Sequence, residues 1–132
     1  MSRFPNFGLD ASAVLEALSR SQAIIEFAPD GTVLTANELF LESVGYALAE
    51  TVGKHHSMFV DPAYARSEEY KSFWARLAEG GFERGEYKRF GKGGKEIWLQ
   101  ASYNPVLGQS GKVQRVVACA TAPARKTRER AG

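Results

Sequence analysis

The chain has 132 residues, 44% hydrophobic and 24% charged, which is the profile of one ordinary globular domain long enough for a hydrophobic core. Its net charge of +2 is concentrated at one end. Arg125, Lys126, Arg128 and Arg130 against Glu129 give the last eleven residues +3 and leave −1 on residues 1–121, so the folded body lacks the basic stripe of a nucleic-acid binder. The single cysteine, Cys119, excludes an intrachain disulfide and a cysteine zinc cluster, and no apolar run reaches the roughly 20 residues of a membrane helix. The start MSRFPNFGLD has no apolar signal-peptide core, so a cytoplasmic protein with no membrane and no nucleic-acid partner is expected.

Residues 1–21 are expected to be a lead-in and an amphipathic helix. Asp10 is an N-cap, Leu9 can staple onto Val14, and Ala11, Val14, Leu15 and Leu18 form one apolar stripe. QAIIEFA at 22–28 and TVLTA at 32–36 are two strands joined by the turn Pro29-Asp30-Gly31. Asn37 caps a short helix that ends at Gly45, and residues 46–60 suit two helical turns separated by Gly53. Asp61-Pro62 starts a further turn. The main helix runs from about 68 to 79, with Tyr70, Phe73, Trp74 and Leu77 on one face.

Three strands follow. FERGEYKRF, 82–90, carries a charged face, and GKGGK is a hairpin turn lacking the spacing of a phosphate loop. EIWLQASYNPV, 96–106, alternates: Ile97, Leu99, Ala101 and Tyr103 point one way, and Trp98, Gln100, Ser102 and Asn104 the other. Pro105 and Gly108 to Gly111 are expected to end that strand. KVQRVVACAT, 112–121, is the last strand, with Val116, Ala118 and Ala120 on one face and Arg115, Val117 and Cys119 on the other. The order of elements reads as α+β, with helices on one side of an antiparallel sheet.

In order and spacing, IIEFAPDGTVLTANELFLESVGY, ETVGKHHSMF, FERGEYKRFGKGGKEIWLQASYNPV and GKVQRVVACAT resemble a PAS domain over residues 22–121, leaving 122–132 as a basic tail. GKHHSMFVDP and the Phe-Trp pair of the main helix are most similar to PAS domains of bacterial chemoreceptors and single-domain PAS regulators. The resemblance implies a five-stranded antiparallel sheet in the order 2-1-5-4-3, with short helices on one face. It further implies a ligand pocket lined by Tyr70, Phe73, Trp74, Ile97, Leu99, Ala101, Tyr103, Val116, Ala118 and Ala120.

Each chemical motif has a bland reading beside the functional one. His55 and His56 are candidate haem or metal ligands, but helical neighbours point about 100° apart and do not share one ion easily. The alternative is that one caps locally and the other is exposed. Haem-binding oxygen sensors of the family carry the proximal His on the main helix, where ARSEEYKSFW has none. Its flavin photosensors need a Cys where GKHHSMF has none, and a flavin-binding Asn and Gln where Leu99 and Ala120 stand. Trp74 occupies a position that is also Trp in redox-sensing chemoreceptor PAS domains that hold FAD, though a helix-face Trp also serves as plain core. No bound cofactor is therefore the first expectation, FAD the second and haem the third. Cys119 reads as an apolar filler. There is no catalytic Ser/His/Asp set and no metal cluster, so no enzyme is expected.

The outer face differs. Trp98 stands there with Gln100, Arg115 and Val117, and the Val14, Leu15, Leu18 stripe can cover that face within the chain or across a homodimer. The expected function is a sensory and interaction domain in chemotaxis-like signal transduction. It would act through dimerisation and a signalling partner or linked output domain. The last strand ends Ala120-Thr121-Ala122-Pro123 where the family has Asp-Ile-Thr, which suits a stand-alone regulator as well as a receptor segment.

Overall fold

The computed structural model describes residues 11–122. The expected helix start at Leu9-Asp10 and the basic tail from Pro123 lie outside them. Helix α1 (Ala11–Ser19) is followed by strands β1 (Ala23–Phe27) and β2 (Val33–Ala36). Then come α2 (Glu38–Val44), α3 (Leu48–Thr51), a 3-10 turn (His56–Phe59), α4 (Pro62–Ala65) and α5 (Glu68–Ala78). Strands β3 (Glu83–Phe90), β4 (Glu96–Leu107) and β5 (Val113–Thr121) complete the chain. The sheet is antiparallel and ordered β2-β1-β5-β4-β3, as expected from the resemblance.

Local chemistry sets the helix boundaries. The Asn37 carboxamide accepts from Phe40 N at 3.0 Å and caps α2, and Gly45 closes it at φ 76°. Asn37 also ties three elements together. It accepts from Ile24 N at 2.9 Å and donates to Gln22 O at 2.8 Å and Ser19 O at 3.2 Å. Asp61 caps α4 with Pro62 in its first turn, and Ser67 caps α5. Gly91 lies against the Val44 carbonyl, which would stand 2.5 Å from a Cβ at that position.

The core fills the space between the sheet and its helices. Tyr70, Phe73, Trp74 and Leu77 of α5 face Phe27, Leu99, Ala101, Tyr103, Val116, Ala118 and Ala120. Phe27 meets Trp74 edge-on at 5.4 Å, and Phe73 meets Tyr103 at 5.0 Å. The alternation expected of β4 is observed: Leu99, Ala101 and Tyr103 are buried, and Gln100 is exposed. One boundary differs. β4 runs through Pro105, which pairs with Val116, to Leu107. The ladder with β3 ends at Glu83–Tyr103, so β4 is an edge strand at Pro105 and the missing N–H breaks no bond on that side.

Candidate functional site

The β1–β2 turn holds the 3-10 segment. His56 N donates to Gly31 O at 2.8 Å, and Thr32 bridges to His55. His55 is exposed and occupied locally. Its Nδ1 accepts from Ser57 N at 3.0 Å, which leaves Nε2 as the protonated nitrogen facing Asp30 O at 2.9 Å. With His55 fixed outward, the next side chain turns inward. His56 is 2% exposed, with Phe27 at 5.2 Å and Trp74 at 5.3 Å between ring centroids. Reading the second histidine as exposed is thus corrected: His56 lies in the core.

His56 is the centre of a buried polar chain. Its Nδ1 lies 2.7 Å from the Tyr70 hydroxyl and its Nε2 2.9 Å from that of Tyr103. Arg89 Nη2 donates to the Tyr103 oxygen at 3.0 Å. Burial first, and then the charge of Arg89, hold His56 well below its usual pKa and keep the ring neutral. A neutral imidazole has one donor and one acceptor, so it donates to one tyrosine and accepts from the other. A cation bonded to the Tyr103 oxygen makes that hydroxyl the better donor, which orders the chain Arg89 to Tyr103 to His56 to Tyr70. Burial pushes the Tyr70 hydroxyl up, so it stays protonated. The chain links edge strand β3, strand β4, the 3-10 turn and α5.

Arg89 was not legible as a site residue. The charges of β3 suggest a solvated face, yet Arg89 pairs with Ile97 on the inner side and is 5% exposed. Phe82 and Phe90 blur the alternation, because Phe90 falls on the outer side opposite Glu96. The guanidinium stacks on Tyr87 at 4.7 Å, Nη1 donates to Lys88 O at 3.1 Å, and Nε has no acceptor. The indole N–H of Trp74 is buried beside the Tyr70 hydroxyl.

The structure gathers the expected pocket residues unevenly. Leu99 and Tyr103 line an inner cavity with Ile25, Phe27, Phe40, Val44, His56, Phe59 and Arg89. Ala101, Val116, Ala118, Ala120, Tyr70, Phe73 and Trp74 pack in the surrounding core, and Ile97 is only partly buried against it. The cavity measures about 20 Å³. That accepts one water-sized occupant, against the roughly 300 Å³ or more of a typical ligand site. The interior does not fit a flavin ring, and Leu99 and Ala120 offer it no hydrogen bonds. It does not fit haem either, since both nitrogens of His55 and of His56 are engaged. Among the described residues no group of three His, Cys, Asp or Glu side chains could hold a metal ion.

On the other side of the sheet, Trp98, Arg115 and Val117 are half-buried and Gln100 is exposed. Trp98 Nε1 donates to Glu96 at 3.3 Å, and Arg115 pairs with Glu26. Cys119 lies opposite Ser102, where burial raises its thiol pKa away from a reactive thiolate. Val14, Leu15 and Leu18 of α1 are 41%, 47% and 43% exposed. A groove of about 320 Å³ separates Leu15, Glu16 and Ser19 of α1 from Ile24, Glu26 and Thr35 of β1 and β2.

An antiparallel 2-1-5-4-3 sheet with short helices and α5 over one face defines a PAS-type sensory fold. The chain belongs to the PAS fold family, which it matches over residues 33–120. It is 45% identical over 103 residues to biofilm dispersion protein BdlA of Pseudomonas aeruginosa, covering 78% of this chain and 25% of that protein. Among solved structures it is similar to a light-oxygen-voltage domain studied with a flavin analogue, at TM-score 0.72 and 20% identity over 93% of each chain. It is also similar to the PAS domain of a Colwellia psychrerythraea protein, at TM-score 0.73 and 16% identity over 85% of this chain and 95% of that one. At those identities the two structures bear on the fold alone. Among the described residues no helix is long and apolar enough to cross a membrane.

Proposed function

We propose that this PAS domain is a protein-interaction module in chemotaxis-like signal transduction, acting as a homodimer that also engages a signalling partner or output domain. The observation that carries the reading is the exposed stripe of Val14, Leu15 and Leu18 beside an open groove on the outer side of the sheet. Exposed apolar side chains in register on one helix lower the free energy when a second surface covers them. Trp98, with Gln100, Arg115 and Val117, offers a second contact on that face, and a half-buried Trp with polar surroundings is a common anchor of interfaces. A PAS domain with an interior filled by its own side chains suits binding of a protein better than binding of FAD or haem. The similarity to a biofilm dispersion protein supports a signalling context, although the chain spans only a quarter of that relative.

The test is sedimentation velocity on the full chain. The wild type should sediment as a dimer, Trp98→Ala and Leu15→Ser should each shift it toward monomer, and circular dichroism should stay unchanged. A wild type that is monomeric at high concentration, or variants that dimerise as well as it does, would refute the reading. Flavin or haem absorbance at one per chain in the purified protein would refute the filled interior.

A further inference from the structure

We propose that the interior beside Arg89 is a binding site for a single compact monovalent anion, of halide size, entered from a cleft at the β3 edge. The inference is independent of the outer face and of dimerisation. Arg89 is a buried cation that takes part in none of the ion pairs among the described residues. Its Nη1 and Nη2 are satisfied by a carbonyl and a hydroxyl, and its Nε–H has no acceptor. The rings of Tyr87 and Tyr103 lie 4.7 and 5.9 Å from the guanidinium carbon. A ring face softens the cost of burying the cation but gives the in-plane Nε–H no lone pair. Tyr87 supplies no phenolate either, because burial pushes its hydroxyl up to about 12.

Cavity geometry supplies the place for a counter-charge. Arg89, His56 and Tyr103 line the inner cavity of about 20 Å³ and are its polar members. Arg89 also lines a surface cleft of about 290 Å³ with Asp61, Tyr64, Glu86, Lys88 and Trp98, so the same side chain stands between solvent and interior. One buried cation matches one negative charge, and a divalent anion would leave an uncompensated charge among Ile25, Phe27 and Leu99. The volume sets the size limit, because a longer carboxylate tail has no space without displacing Phe27 or Tyr103. An anion bonded to the Nε–H partly neutralises the guanidinium whose Nη2 holds the Tyr103 oxygen, so its arrival reaches His56 and α5 through the hydrogen-bond chain.

The experiment uses the full chain labelled with nitrogen-15. The Arg89 Nε–H and His56 ring resonances are followed during titration with sodium chloride, bromide, formate, acetate and propionate, with ionic strength held by sodium sulfate. Chloride and bromide should give saturable shifts at both residues, and formate, acetate and propionate should bind weaker by on the order of tenfold or more. Arg89→Gln should weaken the response at His56 by on the order of tenfold or more, since it removes a charge-assisted bond. Lys71→Gln, a surface change on α5, should leave the response as it is. Shifts that grow linearly and equally for every salt would overturn the proposal. So would a saturable response that survives Arg89→Gln, or propionate binding as tightly as chloride. If Arg89→Gln does not fold, Arg89→Lys takes its place and should retain weakened halide binding.

Discussion

Tyr103→Phe tests the buried chain with little change in volume. The ring stays in its edge contact with Phe73, and only the hydroxyl is lost. That hydroxyl serves His56 Nε2 at 2.9 Å and Arg89 Nη2 at 3.0 Å, and both partners are buried. A hydrogen bond to a neutral buried group contributes about 1 kcal/mol net, and one to a charged group about 1.5–3 kcal/mol. The sum, about 2.5–4 kcal/mol, is a large part of the ~5–15 kcal/mol that holds a domain of this size together. Urea unfolding followed by tryptophan fluorescence reads it as a lower midpoint at unchanged slope. Tyr46→Phe, a ring outside the chain that packs on Phe59 at 6.1 Å, should stay within about 0.5 kcal/mol of wild type. A Tyr103→Phe protein as stable as the Tyr46→Phe protein would refute the reading that this hydroxyl bridges two buried groups.

Stability should also depend on pH through His56. Its folded pKa lies well below the ordinary 6.5, so beneath about pH 6.5 the unfolded chain binds the extra proton and stability falls with falling pH. The slope approaches about 1.4 kcal/mol per pH unit, and His56→Gln should abolish it between pH 6.5 and 5 in urea titrations at each pH. Asp30, held down by its bonds to Thr32, loses its contribution only at lower pH, which separates the two effects. Asn37→Ala should cost about 2–3 kcal/mol in the same assay, more than a simple cap, because the carboxamide also serves β1 and the end of α1. Asn37→Asp, which keeps the acceptors and loses the donors, should fall between Ala and wild type. Gly91→Ala should cost about 1–3 kcal/mol, since the new Cβ would meet the Val44 carbonyl and the hairpin must shift.

Much of the architecture was legible because it rests on local rules. The alternation of EIWLQASY marked the faces of β4, Tyr70, Phe73, Trp74 and Leu77 marked the buried face of α5, and Asn37 and Gly45 marked the ends of α2. Each signal needs only neighbours within about a dozen residues. The interior site was legible only in part. Tyr103 and Leu99 are placed by alternation, whereas the sequence leaves His56 open between a ligand and an exposed group and does not single out Arg89, because a histidine in a short turn and an arginine in a charged strand carry no periodic signal of burial. What buries them is nonlocal. The β1–β2 turn clamps His55 from twenty-five residues away at Asp30, and the β3–β4 register sets Arg89 opposite Ile97 and over the Tyr87 ring. The sequence by itself determined the succession of strands and helices along the chain and which sides of α5, β4 and β5 face the core. Only the tertiary structure decided that two tyrosines, a histidine and an arginine from four elements meet in one buried chain, because a desolvated polar group is tolerated only where distant partners complete its hydrogen bonds.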